Sequence, residues 1–128
     1  MGDVQQLSDS ELELMRVIWA QGGRSLFAQV MQALADRGKD WKPNTVLTFL
    51  SRLCEKGALT VEKHGRRNEY VARLSEEAYA SQETGAFLNR VYEGNAKGLV
   101  TALLRQNRLT SEDVAELQRF WGGRGERP

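Results

Sequence analysis

Asn44, Thr45, Thr48 and Arg52 are spaced so that a helix would carry them on one side. Asn and Thr offer short hydrogen-bonding groups, and Arg52 a permanently charged planar fork. Soon after them Lys63, Arg66 and Arg67 gather cationic charge around the stretch His64-Gly65-Arg66-Arg67. Short neutral donors and acceptors on a close-approaching helix can bond to base edges in a major groove. Threonine methyls can touch thymine, and neighbouring cations can neutralise phosphates. Lys42, immediately ahead of the run, is placed for the sugar–phosphate backbone. An ordinary solvated helix face would favour Lys and Glu, because Asn and Thr are poorer helix formers. The chemistry is recognition rather than catalysis. With one cysteine (Cys54) and one histidine (His64), the chain has neither an oriented nucleophile–base pair nor a usual zinc set. No catalytic residue, cofactor or metal is expected.

The elements that would position these groups follow from periodicity and punctuation. Projected at 100° per residue, Val46, Phe49, Leu50 and Leu53 share one side of a helix, with Ser51 and Glu55 joining the polar side. Leu47 and Cys54 fall at the edge between the faces, where Leu47 could touch a thymine methyl or cover the margin of the core. Pro43 suits a first helical turn and Gly57 a stop, giving a helix over 43–56. Residues 58–63 and 68–73 are strand candidates joined by the basic turn, a hairpin in which Gly65 permits the reversal. Arg66 and Arg67 would then meet flanking phosphates or the minor groove, and His64 could add a phosphate hydrogen bond.

Upstream, Ser8 and Glu11 form a capping-box pattern ahead of Leu12, Met15, Ile18 and Trp19, and Gly22-Gly23 ends that helix. Ser25 is a plausible cap for a second helix lined by Leu26, Phe27, Val30, Met31 and Leu34. Alternatively, Arg24-Ser25 is where a short extra strand would fall. Three helices and a hairpin give a winged helix-turn-helix over residues 1–74. From residue 75 the pattern is entirely helical. Phe87, Leu88, Val91 and Tyr92 make one apolar stripe, and Leu99, Val100, Leu103 and Leu104 a second. A third helix begins at Thr110 with Asp113 and carries Leu117, Phe120 and Trp121. So small a unit seldom closes a core alone, so residues 75–122 are expected to dimerise through these stripes. Residues 123–128 read as a disordered tail. The fold class is therefore mainly α with a small β-hairpin wing, followed by a three-helix dimerisation subdomain.

Charge distribution agrees with this division. The 128 residues carry a net charge of only +1. Residues 37–73, however, hold nine basic against four acidic side chains, a net of +5, while residues 1–36 net −3 and residues 74–128 net −1. A phosphate-binding footprint would concentrate charge in this way. The start of the chain lacks a signal-peptide layout, Gly2 has no Ser or Thr at the myristoylation offset, and no apolar run is long enough for a membrane span. A cytoplasmic location is expected.

Four blocks, "LSDSELELMRVIW", "WKPNTVLTFLSRLCEKGAL", "HGRRNEYVA" and "FLNRVYEGNAKGLV", resemble the penicillinase and methicillin-resistance repressors of the BlaI/MecI type, in order and from about Leu7 to Trp121. The resemblance implies a homodimeric winged-helix repressor on a palindromic double-stranded DNA operator, with Asn44, Thr45, Thr48 and Arg52 on the recognition helix and Arg66 and Arg67 on the wing. It also implies that the three carboxy-terminal helices intertwine as the dimer. Two features depart from the family pattern. Members are induced when a membrane sensor protease system triggers cleavage of an Asn–Phe bond in the fifth helix, a bond that aligns here with Ala102-Leu103. The copper-responsive branch has a cysteine-rich tail, whereas "GGRGERP" has no cysteine. The operator and the regulated gene stay open, a resistance or stress-response operon being among the candidates. A different class of function, a winged-helix protein-interaction module without operator specificity, would want exposed apolar anchors, and the polar face of the third helix offers none beyond Leu47.

Overall fold

The computed structural model describes residues 4–124. Its elements run α1 (Asp9–Ala20), β1 (Arg24–Leu26), α2 (Phe27–Asp36), α3 (Pro43–Glu55), β2 (Leu59–His64), β3 (Arg67–Ala72), α4 (Glu76–Tyr92), α5 (Ala96–Arg105) and α6 (Ser111–Arg124). They form two compact units that divide after Glu83, inside α4.

Local chemistry sets the helix boundaries of the first unit. The Glu11 amide donates to Ser8 Oγ at 3.2 Å, and the Ser8 amide donates to Glu11 Oε1 at 2.9 Å, so the capping box at the start of α1 is complete. Pro43 occupies the first turn of α3. At its other end Gly57 takes φ +88°, which lets the Ala58 amide reach Leu53 O at 2.9 Å and the Gly57 amide reach Cys54 O at 3.1 Å. This paired closure satisfies carbonyls that the helix end would leave bare.

Ser25 does not cap α2. It lies in β1, fully buried, with its hydroxyl bonded to the Gln21 side chain. The cap is supplied by Gln29, whose Oε1 accepts from the Leu26 amide at 2.7 Å. β1 pairs with β3, Ser25 opposite Tyr70, and β3 pairs with β2, Val61 opposite Tyr70, giving an antiparallel order β1-β3-β2. β1 gives the hairpin a partner along β3, which becomes the central strand, and β1 and β2 are the edges of the sheet.

Leu14, Met15 and Ile18 of α1 meet Val30 and Leu34 of α2, Val46, Leu50 and Leu53 of α3, and Leu59 of β2 in one core. The first turns of α4 belong to it as well. Tyr79 is buried, its hydroxyl accepts from the Leu7 amide at 3.0 Å, and Gln82 bonds to both backbone groups of Val4. The compact division therefore falls at residue 83, whereas the sequence pattern marks residue 74.

The second unit has caps but no core. Thr110 and Asp113 cap each other's amides at 3.0 and 2.9 Å, and Asn95 Oδ1 accepts from Gly98 at 3.0 Å to start α5. No described residue from Thr84 onward is buried. α6 continues through Gly122 and Gly123 to Arg124, where a tail is expected from residue 123; the rest of that expected tail lies outside the described residues.

Candidate nucleic-acid interface

α3 presents two different faces. Val46, Leu50 and Leu53 are buried, while Asn44, Thr45, Thr48, Ser51, Arg52 and Glu55 are all exposed. Thr45 and Thr48 thus point outward, as a reading face requires. The Thr48 hydroxyl donates to Asn44 O at 3.0 Å. Phe49, expected to face the core squarely, is only half-buried, because its ring packs edge-on against Trp41 with centroids 5.5 Å apart. Arg52 lies over that ring as well, 6.0 Å from its centroid. The stack holds the guanidinium at the flank of α3 and keeps its donors available.

The wing turn is a tight two-residue reversal at Gly65-Arg66, with His64 paired to Arg67. Of these residues only Gly65 takes a positive φ, +66°, a conformation that a side chain would strain. Lys42, Lys63, Arg66 and Arg67 are exposed, and no described carboxylate pairs with any of them. By contrast, Arg24, Arg37 and Lys56 are each paired to a glutamate. Four cations that flank α3 or sit on the wing are thus left without a carboxylate partner among the described residues.

His64 faces the carboxylates of the wing. Its Nε2 lies 2.9 Å from Glu69 Oε1 and 3.8 Å from Glu62 Oε1. Glu62 and Glu69 face each other directly across β2 and β3, a like-charge pair that would repel if left alone. Arg24 donates to both, at 3.3 and 2.9 Å, and bridges them. The ligand atoms of Glu62, His64 and Glu69 lie within 4.8 Å of one another, close enough to hold a cation. The Arg24 guanidinium supplies positive charge at that spot, so the group serves as a cross-strand brace for the wing.

Leu47, placed by periodicity at the edge of the core, is 42% exposed. It borders a groove of about 310 Å³ shared with Leu26, Phe27, Ala28 and Tyr70 and with Arg66, Arg67 and Asn68 of the wing. Periodicity leaves Leu47 at a margin; only the packing of β1 and the wing decides which side of that margin it takes. Cys54, the other marginal residue, is half-buried and packs on the core, and burial pushes its thiol pKa up, with Glu55 adding to the shift. A thiol so placed stays protonated and inert.

In the second unit Leu88, Tyr92, Leu99 and Leu103 are half-buried, whereas Phe87, Val91, Val100, Leu104, Leu117, Phe120 and Trp121 are exposed, up to 63% at Phe120. Val100, Leu104, Leu117 and Trp121 border an apolar groove between α5 and α6. Ala102 and Leu103 lie inside α5, their peptide bond in continuous helix.

The penicillinase repressor family matches residues 7–122. The chain is 36% identical over 117 residues to the penicillinase repressor of Bacillus licheniformis, covering 91% of this chain and 90% of the relative. It is 25% identical over 116 residues to the methicillin resistance regulatory protein MecI of Staphylococcus aureus strain N315, covering 88% and 90%. Among solved structures, that of the Bacillus licheniformis BlaI monomeric form in complex with the blaP half-operator matches 62% of this chain and 94% of its own, with TM-score 0.51 and 38% identity. The DNA-binding domain of the repressor BlaI in solution covers the same shares, with TM-score 0.53.

Proposed function

Since the chain belongs to the penicillinase repressor family, a family of DNA-binding transcriptional repressors, we propose that it represses transcription as a homodimer seated on a palindromic operator. In this reading Asn44, Thr45 and Thr48 enter a major groove, and Lys42 and Arg52 hold its edges. Lys63, Arg66 and Arg67 neutralise flanking phosphates. The observation that carries it is the exposed polar amino-terminal half of α3 beside unpaired wing cations. The BlaI relative in complex with the blaP half-operator, 38% identical, supports the same use of this fold here.

Residues 1–74, rooted on α4 through Tyr79, would bind DNA, and residues 75–122 would dimerise. Dimerisation has a physical basis: no described residue from Thr84 onward is buried, and an apolar groove between α5 and α6 is open to water, so these helices need a partner surface. A second copy supplies it and doubles the number of half-sites engaged. The names of the relatives point to a β-lactam resistance gene as the class of target; in this reading it is acted on in the cytoplasm. No described helix is long and apolar enough to cross a membrane. Induction by a membrane sensor protease system would have to cut Ala102-Leu103 in place of Asn–Phe, with changed specificity and local opening of α5.

Selection of duplexes from a randomised pool tests the assembly. Two inverted half-sites, centred about 10 bp or a multiple of that apart, are expected from a two-fold dimer. An unsymmetrical consensus would contradict it.

A further inference from the structure

Past Pro43 in its first turn, the exposed side of α3 is polar at every position but one. Leu47 stands one turn from both Asn44 and Ser51, on the flank of the reading face that looks toward the wing. Leu47 is 42% exposed there, so a large part of its apolar surface faces solvent beside an otherwise polar strip. Its groove has an apolar floor, from Leu26, Phe27, Ala28 and Tyr70, and a cationic lip of Arg66 and Arg67. No acidic side chain lines it.

A ligand matching those two features carries anionic charge along its edge and a small apolar group further in. Duplex DNA in the major groove fits both requirements. Its phosphates would meet the lip, and the one apolar group that bases expose in that groove is the C5-methyl of thymine. The neutral face beside Leu47 favours the same approach, since the exposed Asn44 amide and the lone pairs and methyl group of Thr48 are groups that base edges can meet. We infer that Leu47 is a specificity-determining residue that selects thymine at one position of each half-site by closing over its methyl group.

This inference rests on the operator-binding reading, and the experiment separates the two. In a duplex obtained by selection, each thymine is replaced in turn by uracil, which removes the methyl group and leaves every hydrogen bond in place. The full-length protein is titrated against each duplex, and Leu47→Ala and Leu47→Gln are titrated in parallel. The unaltered protein is expected to lose about fourfold in affinity at one thymine per half-site, the effect of one buried methyl group. Both variants are expected to bind the thymine and uracil duplexes equally well at that position. Because Leu47 is exposed, the variants should melt with the unaltered protein. Indifference of the unaltered protein to every uracil would overturn the inference while leaving operator binding intact. So would uracil sensitivity in the variants equal to that of the unaltered protein. Failure to prefer the selected duplex over a scrambled one would overturn the inference together with the reading beneath it.

Discussion

The Thr48 hydroxyl donates its only proton to the carbonyl oxygen of Asn44, one turn back, at 3.0 Å. Outward, therefore, Thr48 presents oxygen lone pairs and a methyl group rather than a donor. Asn44 keeps its whole side-chain amide free for a base edge. Asn44→Ala is expected to lower preference for a selected duplex by about 1–3 kcal/mol, within the range for a lost bidentate contact, with little change on scrambled DNA. Thr48→Val, which keeps the methyl group, should lose less preference than Thr48→Ala. Fluorescence anisotropy on both duplexes reads the difference; equal weakening on the two would make these residues backbone contacts.

The wing arginines should behave in the opposite way. Arg66 and Arg67 have no carboxylate partner among the described residues, so each is available to displace a counterion from a phosphate. Arg66→Ala and Arg67→Ala are each expected to reduce the log–log salt dependence by about 0.9 per half-site, about 1.8 for the dimer on a palindrome, and to weaken specific and nonspecific binding alike. An unchanged slope would place them off the DNA.

Acid stability depends on Glu11. Its side chain is only 3% exposed, and Lys56 Nζ donates to Oε1 at 2.6 Å, tying the start of α1 to the end of α3. Burial pushes the carboxyl pKa up, but the hydrogen bond and charge of Lys56 and the bonds from Ser8 outweigh it, leaving the pKa below its ordinary 4.5. A folded pKa below the unfolded one adds stability above the unfolded value, which is lost as pH falls through the folded one. Glu11→Gln should therefore cost about 1 kcal/mol at pH 7 through the weaker neutral hydrogen bond. The gap to the unaltered protein should narrow in thermal melts well below pH 4.5. A gap of the same size at both pH values would contradict the assignment.

Dimerisation is tested on an exposed apolar residue of the second unit, where a substitution leaves the fold of one chain undisturbed. Leu117 is 52% exposed beside Val100, Leu104 and Trp121. Leu117→Asp is expected to sediment as a monomer and to bind a two-half-site duplex about 10²-fold more weakly, with half-site affinity retained. A dimer that persists would place the interface elsewhere.

Much of this architecture is legible in the sequence because its signals are local. Ser8 with Glu11, Pro43 with Gly57, and Thr110 with Asp113 mark helix ends within a few residues of themselves. The polar face of α3 follows from 100° periodicity alone. What escapes the sequence depends on distant partners. The strand at Arg24-Ser25 falls where the sequence offers one, but Ser25 is equally a helix-cap candidate, and only pairing with the distant Tyr70 decides between the two. His64 is held by Glu69 and braced with Arg24, contacts that only the strand register creates. Tyr79 joins the core of the first unit from a helix whose later stripe belongs to the second. Leu47 sits where the helical projection is ambiguous, and its exposure emerges only once β1 and the wing are in place.

The central claim is that α3 reads base sequence while the wing holds phosphate, and competition at controlled salt tests it most directly. A labelled palindromic duplex, selected from a random pool and bound by the full-length protein, is challenged with unlabelled duplex of the same sequence or of scrambled order at identical composition. The account predicts that scrambled duplex must be about 10³-fold more concentrated to displace the label, and that affinity falls linearly in log–log with added salt. Displacement at equal concentrations by both competitors would contradict it.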